Sequence, residues 1–162
     1  MFNFKTKFYL NILLLFCFTA LISAYFIEYI LGHQPCNLCL IERIPYLIAI
    51  ILIILTLVLR KNQKFLVLLL ILTFVFSLGI SIYHFGIEKE FFQESPICDA
   101  KNLKENITKE ELLEQLDKIV VSCKDVTFKI FGLSLTSVNI VISIIIIFIL
   151  IKIYNTYEKI KS

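Results

Sequence analysis

Glycine, proline and charge are all scarce in this chain. Its 162 residues include 4 Gly and 3 Pro, which makes a loop-rich or disordered reading a poor one. No Gly-rich phosphate loop or nucleotide fingerprint occurs anywhere in it. Charged residues make up 18%. The basic ones are scattered at the ends of apolar segments, which argues against nucleic acid as a partner. What fills the chain instead is apolar: 59% is hydrophobic and the mean hydropathy is +0.87. Soluble domains are about 45–50% apolar, so composition alone marks a membrane protein.

Four apolar segments lie at roughly 8–27, 39–59, 65–85 and 133–151. Each is near the roughly 20 residues that a bilayer-spanning helix needs. Backbone groups of open strands go unsatisfied in lipid, so these segments are expected to be helices. The expected architecture is all-α: a single membrane domain over residues 1–162, with four transmembrane helices and outside loops at 28–38 and 86–132. The first segment has a basic start at Lys5 and Lys7. Its apolar run exceeds the core of a signal peptide and no small-x-small site follows, so it is expected to be a retained helix.

Orientation follows from Lys and Arg near the helix ends. One side carries Lys5, Lys7, Arg60, Lys61, Lys64, Lys152, Lys159 and Lys161 against one acid, Glu158. The short loop on the other side has no Lys or Arg. Both termini are therefore expected in the cytoplasm. The long loop holds seven Lys but also ten acids, and long loops translocate largely regardless of charge. Within that loop, Thr108 and Glu111 fit a capping box, with Ile107 and Leu112 as its staple. Leu112, Leu113, Leu116, Ile119 and Val120 then share one face of a short amphipathic helix. That face suits either the membrane surface or the body of the bundle.

Cysteine is where this apolar chain carries chemistry. Cys36 and Cys39 form a C-x-x-C at the outer start of the second span. Cys98 and Cys123 lie in the long outer loop, in an oxidising compartment if the chain is bacterial. C-x-x-C spacing suits a disulfide whose one sulfur is the leaving group of the other. It also suits zinc, here through His33-x-x-Cys36-x-x-Cys39 with a further ligand from His84, Cys98, Cys123 or a carboxylate. Three features favour redox. Cys39 lies near a helix start, where the dipole stabilises a thiolate. Arg43 follows four residues later on the same face. An ionisable residue at such a depth is a functional candidate. Arg43 also suits a snorkelled anchor paired with Glu42. Cys98 and Cys123 on their own fit a structural staple, and Cys17, amid apolar neighbours, reads as an inert core thiol. His84 ends the third span on the same face as the C-x-x-C. Ser137, Asn139 and Ser143 in the fourth are expected to serve helix packing.

The string Cys36-Asn37-Leu38-Cys39-Leu40-Ile41-Glu42-Arg43 resembles the C-x-L-C-x-x-E-R signature of the bacterial disulfide-bond formation protein B (DsbB) family. Tyr83-His84-Phe85-Gly86-Ile87-Glu88, Pro96-x-Cys98 and Phe131–Asn139 are similar to that family's third-helix exit and fourth-helix entry. The resemblance implies a thiol:quinone oxidoreductase of the bacterial inner membrane. It would reoxidise a soluble periplasmic DsbA-like dithiol oxidase and pass the electrons to ubiquinone or menaquinone, with no metal. It implies disulfides Cys36–Cys39 and Cys98–Cys123. Cys98 would receive the partner's thiolate, Cys123 would link transiently to Cys36, and Cys39 would face the quinone. Arg43 and His84 would contact the quinone, and Glu42 would orient the mouth of the site. The chain departs from some relatives after Cys123, where it reads Lys124-Asp125-Val126-Thr127-Phe128 rather than carrying proline or tryptophan.

Overall fold

Runs of Ile, Leu and Phe that are apolar on all sides have only one stable form in lipid, because the helix alone satisfies its backbone within one segment. A computed structural model describes residues 4–59, 62–93, 123, 129–130 and 133–161. Its helices are α1 (Phe4–Tyr29), α2 (Asn37–Ile41), α3 (Ile44–Val58), α4 (Gln63–Glu88) and α5 (Leu135–Lys161). They supply four spans long and apolar enough to cross a membrane: Lys5–Tyr29, Asn37–Val58, Gln63–Glu88 and Leu135–Thr156.

α4 packs against α5 and α3, and α1 packs against α3. Leu10, Leu13, Cys17 and Leu21 of α1 meet Tyr46, Ala49, Ile50 and Ile53 of α3 in the core. Val67, Leu70 and Phe74 of α4 join Ile146, Leu150 and Ile153 of α5 there. Cys17 is fully buried in that core, as the inert reading expects. The outward faces are equally apolar, with Leu15, Ile22, Phe76 and Phe148 more than half exposed. Soluble monomers rarely expose apolar faces of this kind, and these faces suit lipid.

Four departures from the sequence expectation have physical causes. The second span is two helices rather than one. Helix α2 ends at its C-cap Glu42, and α3 restarts from Arg43 with Pro45 in its first turn. Proline is tolerated there because the first N–H groups of a helix have no partner to lose. α1 runs on to Tyr29, and Gly32, at φ 72, turns the chain in the left-handed region that glycine enters without strain. The turn is closed by His33 N–H donating to Ile27 O at 3.2 Å. The fourth helix starts at Leu135 rather than 133, because Leu133–Ser134 pairs antiparallel with Lys129–Ile130 as a two-residue ribbon. Ser134 caps the helix, its Oγ accepting from Ser137 N–H at 3.2 Å. α5 also continues beyond the apolar run to Lys161. The expected helix at 108–120, and Cys98, lie outside the described residues.

Candidate functional site

Glu28 at the end of α1, Cys36 and Cys39 around α2, His84 at the end of α4 and Thr136 at the start of α5 all lie at one end of the bundle. Lys64 and Tyr154, whose ammonium and ring are 4.9 Å apart, mark the other.

Cys36 is the N-cap of α2. Its sulfur accepts from Cys39 N–H at 3.3 Å, as a capping hydroxyl or carboxylate would. The Cys36 and Cys39 sulfurs are unbonded and 2.7 Å apart. On its other side Cys36 meets His84 Nε2 at 3.5 Å. The Cys39 thiol beside it holds the Cys36 thiol far below the ordinary range, at about 4. Burial opposes this, and the His84 ring assists it. The reduced pair is therefore expected to keep one thiolate at Cys36 from neutral pH down through mild acid. In a chain carrying Cys98→Ser and Cys123→Ser, ultraviolet thiolate absorbance should be lost only as pH falls toward 4. Cys39→Ala should move that loss to higher pH, because it removes the main donor. A titration unmoved by Cys39→Ala would contradict this account.

The two sulfurs face different surroundings. Cys36 shares a small buried cluster with Leu38, Ile87 and Cys123. Cys123 is itself disulfide-bonded. Cys39 instead lines a cavity of about 360 Å³ between α1, α2, α3 and α5. Its walls are mostly apolar, including Phe16, Leu21, Ile27 and Ile142, with Arg43, Glu42 and His33 as charged or polar groups on it. A cavity of this size, apolar with a few convergent polar groups, suits a small hydrophobic ring.

Arg43 does not pair with the neighbouring Glu42. Its guanidinium donates to Glu28 and lies 4.9 Å from the Tyr25 ring centroid, so both of its partners among the described residues come from α1. Glu42 turns the other way, with Oε1 3.0 Å from His84 Nδ1 and Oε2 accepting from Asn139 Nδ2 at 3.2 Å. Asn139 Nδ2 also donates to Ser81 Oγ at 2.8 Å, and Asn139 Oδ1 accepts from Tyr46 OH. Thr136 Oγ1 lies 3.3 Å from His84 Nδ1. The network thus ties α3, α4 and α5 to the cysteine pair through a single imidazole.

Sequence reasoning missed Glu28 and gave Asn139 only a packing role. Asn139 does bond across helices, but to Glu42 as well. A signal for Glu28 existed: it is the one acid before Glu42 in the chain, and a lone carboxylate at a membrane edge calls for a cationic partner. Among the described residues, His84 rather than His33 joins Cys36 and Cys39, their ligand atoms all lying within 4.8 Å of one another. Among the described residues, Ser137 bonds to Ser134, at the start of α5.

The profile of a family described as disulfide bond formation protein DsbB matches residues 6–153. A curated protein of Rickettsia prowazekii (strain Madrid E), described as the uncharacterized protein RP370, is 31% identical over 133 residues. That match covers 81% of this chain and 77% of the relative. No solved structure matches. With a C-x-x-C at one end of four apolar spans and a profile match from Thr6 to Ile153, this chain belongs to the DsbB family of multi-pass membrane oxidoreductases that generate disulfide bonds.

Proposed function

We propose that the chain reoxidises a soluble DsbA-like dithiol oxidase of the periplasm and passes the electrons to a membrane quinone. The observation that carries this reading is the unequal setting of the two sulfurs: Cys39 lines the apolar cavity while Cys36 shares a buried cluster with Cys123. A partner thiolate attacks Cys98 of a Cys98–Cys123 disulfide and releases Cys123 as thiolate. Cys123 attacks Cys36 of a Cys36–Cys39 disulfide and releases Cys39 as thiolate toward the cavity. The partner's second thiol then attacks its mixed disulfide with Cys98, leaving the partner oxidised and Cys98 free. Cys98 recovers Cys123 from Cys36, so both electrons and two protons now reside on Cys36 and Cys39. Transfer of these to a quinone gives quinol and restores the Cys36–Cys39 disulfide. Exchange of this kind needs a thiolate attacker and a good leaving thiol at each step.

Arg43 lies where an anionic quinone oxygen would benefit from a fixed positive charge, and His84 touches Cys36 rather than the cavity wall. Glu42 orients His84. With the cysteines facing the periplasm and both termini in the cytoplasm, the chain would sit in the bacterial inner membrane. The test is anaerobic: purified protein, a reduced thioredoxin-fold dithiol partner and either ubiquinone or menaquinone, with quinol formation followed by absorbance. Quinol formed in step with partner oxidation supports the proposal, and absence of quinol with both quinones overturns it.

Glu28→Gln extends the test to the cavity wall. Loss of the carboxylate leaves the Tyr25 ring as the remaining partner of the Arg43 guanidinium among the described residues. The contact is partly screened, and a pair of this kind is worth about 1 kcal/mol or a little more. The expected result is a several-fold rise in the KM for quinone with a smaller change in kcat. An unchanged KM would show that Glu28 does not position Arg43.

A further inference from the structure

We propose that the reduced Cys36–Cys39 pair and His84 form a binding site for a thiophilic divalent cation of the zinc class, which holds the chain in its reduced state. The ligand set is already assembled, with the two sulfurs and a His84 nitrogen within 4.8 Å of one another. The ring is also presented the right way round. His84 Nδ1 faces Glu42 Oε1 at 3.0 Å, while Nε2 faces Cys36 Sγ at 3.5 Å. With Nδ1–H held by the carboxylate, Nε2 can give up the proton it shares with the Cys36 sulfur and turn its lone pair to a metal, the arrangement by which carboxylates commonly orient zinc-binding histidines. Glu42 is fixed in turn by Asn139 Nδ2 at 3.2 Å.

A cation between the sulfurs requires them to part from 2.7 Å, by about 1 Å given Zn–S bonds of about 2.3 Å. Cys39, on the cavity wall and only partly buried, has the room to make that movement. Three protein ligands leave a fourth position for water. Binding leaves both sulfurs as thiolates and His84 Nε2 without a proton, the displaced protons passing to solvent, and it moves no electrons. The disulfide form has no thiolates and offers no such site. By linkage, a cation at a hundred times its Kd favours the dithiol over the disulfide by about a hundred-fold. Both sulfur electron pairs are then engaged, so reoxidation waits for the cation to leave. This inference does not rest on the quinone reading, since a chemical reductant generates the same dithiol.

The experiment uses the full chain in detergent with Cys98→Ser and Cys123→Ser, so that Cys36–Cys39 is the sole reducible pair. After reduction and removal of the reductant, Co2+ is titrated and then displaced by Zn2+. The expected result is one equivalent of Co2+ with sulfur-to-cobalt charge-transfer bands and tetrahedral visible bands. Affinity should fall about 10–100-fold in Glu42→Gln, at least as far in His84→Ala, and stay unchanged in Cys17→Ser. Equal Co2+ binding by the oxidised chain, or full affinity in His84→Ala, would overturn the inference. The oxidised-versus-reduced comparison needs no further substitution, so a variant that fails to fold does not blunt the test. A chain that binds Co2+ only when reduced, yet reduces no quinone, keeps this inference and loses the preceding one.

Discussion

Cys39→Ser is expected to stop quinone reduction altogether, a loss of at least about a thousand-fold in turnover. The reason is electron bookkeeping rather than fold. Without Cys39 the second disulfide cannot form, so Cys36 has nothing to pass on and receives nothing from Cys123. The variant should still oxidise one equivalent of reduced partner through the proposed Cys98–Cys123 bond, and then halt. That single-equivalent burst without quinol separates a broken relay from a misfolded chain, which would show no burst. Sustained turnover in the variant would refute the role given to Cys39. Cys17→Ser is the companion measurement. Cys17 is buried among Leu10, Leu13 and Leu21, far from the cysteine pair in the packing. Its loss should leave turnover near that of the unaltered chain.

Asn139→Ala carries the largest expected effect on stability. Its amide donates to Glu42 and Ser81 and accepts from Tyr46, so three helices lose a partner at once. Hydrogen bonds between helices in membranes average only about 0.6 kcal/mol each. Three of them, together with an acid left less well satisfied, put the cost at about 2–3 kcal/mol. Thermal unfolding in detergent should register a clear drop in Tm. Ser143 and Ser77 provide the contrast. Both hydroxyls are fully buried with no hydrogen-bond partner among the described residues. Ser143→Ala and Ser77→Ala remove an unsatisfied group and leave little void, so they are expected to be neutral or slightly stabilising. If Asn139→Ala were as silent as Ser143→Ala, the network would not be holding the bundle.

The four spans were legible because hydropathy and length decide them almost alone, and the C-x-x-C with Arg43 was legible because its residues are close in sequence. The break after Ile41 was less so. Pro45 announces trouble in a helix, but whether it kinks the span or opens a new helix depends on whether Glu42 and Arg43 find partners outside the helix. Those partners come from three other elements: Glu28 on α1, His84 on α4 and Asn139 on α5. Contacts between residues dozens of positions apart leave no trace in local pattern, and Asn139 therefore read as a packing residue. The caps were legible in principle. Ser134 precedes α5 at capping distance from Ser137, but the apolar run starting at Leu133 hid the boundary.

The interruption between α2 and α3 places two neighbouring residues of opposite charge on opposite moorings. Glu42 is tied inward to α4 and α5, and Arg43 is tied outward to α1. The five residues that carry Cys39 thus hang from both halves of the bundle, like a bridge deck anchored on two banks. Displacing the sulfurs would require both anchorages to shift together. The cysteine pair is thereby held in place from two sides.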